Sequence, residues 1–361
     1  MIAKTFGRYV AKRFVLAVLG VFVGMFFLVV LLDYIEMMRK TAPIPNLPTW
    51  LVAVTSLYRV PQITERMLPF SVLVGAMVAY LNLSRRNELV IARAAGISAW
   101  QFVAPAVAAA LVLGIIATAV YNPIAAYTGD QAKRFEEQIF GPKGDSATQG
   151  GYWVRQRTGE GQSVLFAANS RDQGAELNGV SIFVYNRDGA FLERVEADKA
   201  AFEPGRWKLT NARIYAPDLR PRFVESHAVA TNLSTAEIQT TFATPNTVPF
   251  WRLPAYIELA EQAGLVAAGY RLQYQLLLAK PFLLAGMVML AAAVSLRFFR
   301  MGGVQKMVLS GVAAGFLLYV LSKITEDLAK AELLHSVTAA WSPVAIGMMT
   351  GVVTLLFQED G

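Results

Sequence analysis

Six long apolar runs divide the chain, and most of the segments between them are short and polar. A helix needs roughly 20 apolar residues to cross a bilayer, and each run is close to that length. The runs are residues 14–32, 67–83, 99–121, 276–296, 304–322 and 339–357. The pattern therefore predicts a membrane protein with six transmembrane helices.

One longer polar region lies between the third and fourth runs. In residues 125–248 no apolar run is long enough to span, and short segments alternate apolar with polar residues. Alternation of this kind, with breaks such as Pro204-Gly205 between segments, is typical of β strands. We therefore expect a membrane α-helical protein with an inserted all-β domain. It is a sandwich, an open barrel or, as the preferred form, a jelly roll.

These patterns predict three parts of the chain. Residues 1–124 carry the first three transmembrane helices and a cytoplasmic coupling helix at 84–98. Residues 125–250 form the β domain, and residues 251–361 carry a linker helix and the last three transmembrane helices. We also expect residues 2–13, which mix basic with apolar residues, to form an amphipathic helix on the cytoplasmic leaflet.

The distribution of basic residues predicts the orientation. The connector at 84–98 holds Arg85, Arg86 and Arg93 against a single acid, Glu88. Cytoplasmic loops carry an excess of lysine and arginine, so the connector is predicted to be cytoplasmic. Both termini then lie in the cytoplasm, and the β domain lies on the other side of the membrane.

The composition disfavours several classes of function. The chain of 361 residues is 16% charged, whereas a soluble domain carries about 25% charged residues. The net charge of +7 comes largely from residues that flank the apolar runs, which favours lipid headgroups over nucleic acid as a partner. The sequence has no cysteine, two histidines and no phosphate-binding loop. We therefore expect no metal centre, no cofactor and no catalytic activity.

Basic residues near the outer ends of the predicted helices form a candidate lipid site. A single lysine or arginine at this position ordinarily extends its charged group toward the lipid headgroups. Together, a basic rim above an apolar bundle also suits an anionic lipid, whose phosphates would pair with arginine and lysine. Arg59, Arg271 and Lys280 share this position. The residues that we select for binding are Arg39, Lys40, Arg66, Lys133 and Arg134, with Phe26, Phe316 and Tyr319 for the acyl chains.

The connector allows two interpretations. It is either a cytoplasmic turn whose arginines only set the topology, or a docking helix that transmits movement from a soluble partner. In the second case, Glu88 is the group that a basic groove on the partner would bind.

Residues 179–186 show a clear strand alternation. Val180, Ile182 and Val184 fall on one face, and Phe183 and Tyr185 fall on the other. Both faces are apolar. We therefore expect one face to pack the domain and the other to meet acyl chains, a neighbouring domain or the linker helix.

The connector contains RRNELVIARAAGIS and resembles the coupling segment of the lipopolysaccharide-export ABC transporter permeases, the LptF/LptG family. The likeness rests on Glu88-Leu89 after a polar pair and on Ala95-Gly96 before the next helix. It extends over the whole chain in the order of helices and β insert, in Asn122-Pro123 and in the segment 179–186. The Arg-x-Glu-Leu-Val form of the connector and the Gly-Tyr-Trp-Val strand at 151–154 resemble LptG more than LptF.

The resemblance implies a permease subunit that extracts lipopolysaccharide from the inner membrane of a Gram-negative bacterium and passes it to a periplasmic bridge. The implied partners are a paired permease of the same family, a cytoplasmic ABC ATPase dimer that binds the ATP, a single-span periplasmic jelly-roll protein and the bridge protein. The β domain would lie in the periplasm.

The resemblance also assigns roles to residues. Coupling to the ATPase would involve Arg85, Arg86, Glu88, Leu89, Arg93 and Gly96. Lipopolysaccharide would bind at the basic rim, where Arg39 and Lys40 match a basic pair that follows the first helix in relatives. Asp33 and Glu136 depart from the basic pattern of the family around that site.

Other functions remain open on the sequence alone. The chain would also suit a permease or scaffold subunit for another lipid or lipoprotein export system. A lipid-modifying enzyme would need a polar catalytic cluster at one depth, and the apolar runs contain none. A structural scaffold would dock periplasmic partners through the β domain without transport. Copurification with an ATPase would favour the exporter.

Overall fold

The computed structural model describes residues 2–45, 47–86, 88–94, 96–140, 152–158, 161–171, 174–186, 189–217, 220–232, 245–262, 267–299 and 304–359. Within these ranges, 6 helical segments are long and apolar enough to cross a membrane. A six-stranded antiparallel sheet lies between the third and the fourth of them. The predicted membrane α-helical fold with an inserted all-β domain is therefore confirmed.

The helices occupy the apolar runs and extend beyond them. Their bounds are α1 Ile2–Thr41, α2 Thr49–Arg85, α3 Glu88–Ala94, α4 Ala99–Ile116, α5 Asn122–Phe140, α6 Leu253–Gln262, α7 Ala268–Phe299, α8 Val304–Lys330 and α9 Ser336–Glu359. A π-helical turn of 5 residues, Ala117–Tyr121, joins α4 to α5 in one continuous helix. This helix therefore passes residue 125, where we placed the start of the β domain.

The basic lead at residues 2–13 is the first part of α1, so the expectation of a separate helix on the leaflet is wrong. Val10 and Phe14 are each only 1% exposed, and Phe6 packs on Phe102 of α4 with ring centroids 6.0 Å apart. The apolar side chains of the lead therefore contact protein. No proline interrupts α1, which continues from the lead into the membrane run without a break.

The core of the helical bundle lies along α7. Leu284, Val288 and Ala291 are fully buried among side chains of the neighbouring helices. Small residues let helices approach closely in membranes, where apolar burial alone does not drive association. Gly114 of α4 has this role, because a Cβ there would lie only 2.3 Å from the Cα of Pro281 in α7. The backbones of α4 and α7 therefore touch near Pro281.

The inserted domain is one sheet of six antiparallel strands in up-and-down order. The strands are β1 Tyr152–Thr158, β2 Gly161–Arg171, β3 Glu176–Tyr185, β4 Phe191–Glu203, β5 Arg206–Tyr215 and β6 Arg222–Ala230. One face of the sheet forms a core in which Ile182, Trp207 and Leu209 are fully buried. Because the residues of this core all come from the six strands, the sheet must curl around its own side chains.

Side chains hold the first and last strands of this curled sheet together. Gln156 of β1 accepts a hydrogen bond of 2.5 Å from the hydroxyl of Thr231, just after β6. The amide nitrogen of Gln156 donates to Ser163 at 2.8 Å and to the carbonyl of Ala230 at 3.5 Å. The two ends of the sheet therefore meet through a buried polar cluster.

Strand β3 alternates between the two faces as predicted. Val180 and Ile182 are 2% and 0% exposed in the core. Phe183 lies on the opposite face, where the guanidinium of Arg194 in β4 stacks 5.4 Å from the centre of its ring. At Phe183, a charged side chain of the neighbouring strand thus covers the outer face.

Candidate functional site

The described residues of the connector between α2 and α4 form α3 and the turn that leads into α4. Gly96 has φ +81, a left-handed conformation that favours glycine, and the amide of Ile97 donates to the carbonyl of Ala92 at 3.0 Å. Ser98 then caps α4: its hydroxyl accepts from the amide of Gln101 at 3.2 Å, and the Gln101 side chain accepts in return at 3.4 Å. The local sequence therefore fixes how α3 is joined to α4.

Glu88 begins α3 and is tethered to the first helix. One of its carboxylate oxygens accepts a hydrogen bond of 3.1 Å from the hydroxyl of Tyr9. The guanidinium of Arg13 lies over the Tyr9 ring, 5.2 Å from its centre. Within the described ranges the second oxygen of Glu88 accepts no hydrogen bond. Sequence reasoning missed Tyr9, which lies 79 positions before Glu88.

The other predicted coupling residues lie around Glu88 along the chain. Arg85 ends α2, Arg86 follows it, and both side chains are exposed. Gly96 is also exposed. Leu89 and Arg93 lie in α3, and the described part of the structure does not include their side chains. The connector thus presents exposed cations on one side of Glu88 and a tight turn on the other.

The C-terminal ends of α1 and α5 and the start of α2 pack together. Met37, Val52 and Ile139 form a small apolar cluster at this end of the bundle. Arg39 and Lys40 end α1 beside the cluster, and Lys133 and Arg134 lie on α5 before it. The structure therefore brings the two predicted basic pairs to the same end of the bundle.

The five predicted rim cations differ in their partners. Lys40 pairs with Glu36 at 3.1 Å, Arg134 pairs with Asp130 at 3.4 Å, and Lys133 is half-buried. Arg39 and Arg66 are exposed and form no ion pair with any residue that the structure describes. These two guanidinium groups are therefore the most available to an anion.

The predicted acyl-chain residues lie on two helices that both contact α2. Ser71 of α2 donates to the sulfur of Met25, next to Phe26 on α1, at 3.2 Å. Phe70 of α2 contacts Tyr319 of α8 with ring centroids 5.3 Å apart. Phe316 and Tyr319 are 57% and 44% exposed. Phe316 and Tyr319 thus belong to an exposed apolar surface on α8, whereas Phe26 on α1 is half-buried beside the exposed Phe27.

Arg59 is not a free rim cation, because it binds two carboxylates. Its guanidinium lies 2.9 Å from Asp33 of α1 and 2.9 Å from Glu136 of α5. Asp33 is only 5% exposed, and its second oxygen is buried without a hydrogen-bond partner in the described chain. The two acids that depart from the basic pattern of the family therefore share one arginine and tie three helices together.

Lys280 is also withdrawn from the rim. Its ammonium group lies 2.5 Å from Glu65 of α2, and both side chains are largely buried. Asn122 donates to both oxygens of the same carboxylate, at 3.0 and 3.3 Å. Arg271, a third rim candidate, pairs with Glu261. Sequence position alone had placed these cations with the lipid-facing residues.

Comparison with known proteins agrees with this layout. The family model "Lipopolysaccharide export system permease LptF/LptG" matches residues 8–356. The chain is 24% identical over 277 residues to the lipopolysaccharide export system permease protein LptG of Escherichia coli K12, covering 74% of this chain and 75% of that protein. It is 19% identical over 327 residues to LptG of Haemophilus influenzae, covering 89% of each. Because the family model spans almost the whole chain, this protein belongs to the LptF/LptG family of lipopolysaccharide export system permeases and is LptG-like.

Proposed function

We propose that this chain is the permease subunit of an ABC transporter that extracts lipopolysaccharide from the inner membrane and passes it to a periplasmic bridge. Family membership and the six candidate spans support this function. The observation that carries it is the connector, a short helix that is fixed between two membrane helices and offers an accessible carboxylate.

In this proposal, a dimer of a separate ATPase binds the connector from the cytoplasm. Glu88 pairs with a cation of the ATPase through the oxygen that Tyr9 leaves free. The remaining contacts come from Arg85, Arg86, Leu89, Arg93 and Gly96. Because only short segments join α3 to α2 and α4, a displacement of α3 moves both membrane helices. The ATPase binds the ATP, and the permease itself requires no cofactor.

The outer end of the bundle would receive the lipid. The phosphates of lipopolysaccharide would bind Arg39 and Arg66 first, since these are exposed and without an ion pair in the described chain. Lys40 and Arg134 would exchange their acids for phosphate at little cost, because an exposed ion pair contributes only about 0–1 kcal/mol. Lys133 would join them, while Phe26, Phe316 and Tyr319 would contact the acyl chains.

The remaining surfaces suit the other partners. A second permease of the family would cover the outer sides of α1 and α8, where large apolar side chains such as Phe27 and Leu309 are exposed. Both termini would lie in the cytoplasm and the curled sheet in the periplasm. There the sheet would contact a single-span jelly-roll protein and the bridge protein.

Reconstitution from purified components tests this function. Chain isolated from inner membranes should copurify with an ATPase and a second permease, and vesicles should release lipopolysaccharide to the bridge protein only with ATP. Glu88→Ala should strongly reduce this transfer, whereas Glu225→Ala, at an exposed acid of β6, should leave it unchanged. Export of another lipid in place of lipopolysaccharide, or turnover of a lipid by the isolated chain, would overturn the proposal.

A further inference from the structure

Two membrane helices contain prolines, Pro123 and Pro281, whose preceding residues bind the same carboxylate. Proline has no N–H, so the carbonyl four residues earlier in a helix loses its usual donor. Pro281 leaves the carbonyl of Leu277 in this situation, and Pro123 cannot donate to the carbonyl of Ala119, which lies in the π-helical turn. Side chains from other elements supply the missing donors: Trp251 Nε1 donates to Ala119 at 3.0 Å, and Thr118 Oγ1 donates to Leu277 at 2.9 Å.

A buried polar cluster lies directly beside both breaks. Lys280 precedes Pro281, and Asn122 precedes Pro123. Both bind the carboxylate of Glu65 in α2, and Asn122 is only 1% exposed. A buried ion pair contributes little net stability, because removing both charges from water is costly. Ionisable groups within membrane spans are generally retained for a function.

The same cluster fastens the chain that returns from the curled sheet. We call residues 245–253 the return segment, which contains two short 3₁₀ turns, Pro245–Thr247 and Phe250–Arg252. The carbonyl oxygen of the Asn122 side chain accepts a hydrogen bond of 2.9 Å from the amide of Phe250. A single side chain thus connects the ion pair to the return segment.

Three membrane helices hold the return segment from different sides. Trp251 donates to the π-helical turn after α4, as described above. Gln62 of α2 donates to the carbonyl of Asn246 at 3.2 Å. The ring of Phe250 stacks on Tyr274 of α7, with centroids 5.5 Å apart and planes 12° apart. The return segment cannot keep these contacts unless it moves together with the helices.

We propose that this assembly is a mechanical joint, in which Asn122 and Trp251 are positioning residues that make the return segment follow the proline breaks of the third and fourth spans. Helices bend most readily at prolines and π turns. Bending there displaces the Ala119 carbonyl, Asn122 and Lys280. The return segment, which residues 231–244 join covalently to β6, would carry that displacement to the curled sheet. The inference rests on the proposed export function, because it assigns the joint to the transfer of lipid from the bundle to the sheet.

Distance measurements test the joint directly. The chain has no cysteine, so two introduced cysteines can carry spin labels without background. Suitable sites are Thr210 in β5 and Ala331 after α8, which are both exposed. The distance between the labels is measured in the full transporter complex, without nucleotide and with a non-hydrolysable ATP analogue. In the wild-type chain the distance should shift between the two states.

Two conservative variants break the joint, and one matches them as a control. Trp251→Phe removes the donor together with part of a ring that is 66% exposed and contacts Phe250, and Asn122→Ala removes both amide contacts. Trp50→Phe is the control, because Trp50 is 64% exposed on α2 and its indole bonds to no residue that the structure describes. The first two should broaden the distances, remove the nucleotide-dependent shift and slow lipid transfer about two- to tenfold. ATP hydrolysis should match the control in both variants, and so should the thermal midpoint of Trp251→Phe. Asn122→Ala also removes hydrogen bonds to the buried Glu65 and should therefore lower the midpoint.

The outcomes separate the joint from the proposed function. Variants that behave like Trp50→Phe would overturn the joint. A wild-type distance that stays the same in both nucleotide states would also overturn it, because the contacts would then only anchor the segment. Absence of any lipopolysaccharide transfer by the wild-type complex would instead refute the proposed function. In that case the distances would still decide whether Asn122 and Trp251 link the segment to the helices.

Discussion

Tyr9 of α1 donates a hydrogen bond to Glu88 of α3, with 3.1 Å between the hydroxyl and the carboxylate oxygen. The contact joins the first membrane helix to the connector that we propose as the ATPase docking site. It also fixes the direction in which Glu88 presents its other oxygen. The pair therefore links a docking contact to the position of α1.

Replacing Glu88 with alanine should weaken ATPase binding by about 1–3 kcal/mol, because a charged contact is lost without a change in the fold. Tyr9→Phe should weaken it by about 1 kcal/mol, since only the hydrogen bond is removed. If Tyr9 acts through Glu88, the Phe substitution will have no further effect in the Glu88→Ala chain. The dissociation constant of the permease–ATPase complex measures all three variants.

The control for this cycle is Tyr127→Phe, at a tyrosine of α5 that is 62% exposed. It should bind the ATPase like the wild-type chain. An equal effect of Tyr9→Phe with and without Glu88 would show that Tyr9 does not act through the carboxylate.

Reversing the charges of Arg39 and Lys40 to glutamate should reduce lipopolysaccharide capture more than assembly of the complex. Both lie at the C-terminal end of α1, where we propose that the phosphates bind. The introduced carboxylates would repel the phosphates, because both carry negative charge. Photo-crosslinkers at these two positions should form adducts with lipopolysaccharide. A crosslinker at Leu333, which is 76% exposed after α8, should not. Adducts at Leu333 alone would show that Arg39 and Lys40 only set the membrane topology and do not bind lipopolysaccharide.

Arg59→Met should destabilise the chain by about 3–5 kcal/mol, because it removes the counter-charge of the buried Asp33 and an ion pair of Glu136. Neutralising the acids in the same chain, with Asp33→Asn and Glu136→Gln, should recover most of the loss. Denaturant unfolding in detergent measures both effects. Arg213→Met, at an exposed residue of β5, should change the stability by less than about 0.5 kcal/mol. A similar loss in the single and the triple variant would argue against the ion-pair triad.

Exchanging the charges of Glu65 and Lys280 tests the buried pair between α2 and α7. Glu65→Lys and Lys280→Glu alone each place two like charges together and should destabilise the chain by about 3–5 kcal/mol. The double exchange restores opposite charges and should regain part of this stability, although Asn122 can no longer donate to a carboxylate at position 65. Thermal unfolding of the purified chain is the measurement. A double variant less stable than both single variants would contradict a direct pair.

The fold could be predicted from the sequence because its main signals are local. Each apolar run is long enough to define one span, and the alternation around Ile182 defines a strand without knowledge of its neighbours. The inward position of Ile182 and the outward position of Phe183 followed from that period alone. Continuity was harder to predict: residues 2–13 were read as a surface helix, but they contain no residue that would end α1.

The polar contacts could not be predicted, because each joins positions that are distant along the chain. Lys280 and Glu65 are 215 positions apart, and Arg59 and Glu136 are 77 apart. A single sequence shows their charges but not which helices are neighbours. Arg59 and Lys280 were therefore grouped with Arg39 and Arg66, from which burial separates them. The prolines were visible, but the donors that serve the freed carbonyls lie on other elements.

The length of α1 gives it the properties of a lever. It contains 40 residues without a proline, and Tyr9 and Arg39 are near its two ends, about 45 Å apart at 1.5 Å per residue. A tilt of about 5° around Tyr9 would move Arg39 by about 4 Å, a distance that makes or breaks a contact with a phosphate. A small rotation of α1 at the connector would thus produce a larger displacement at its other end. The movement would be transmitted through a single helix and would not depend on any loop.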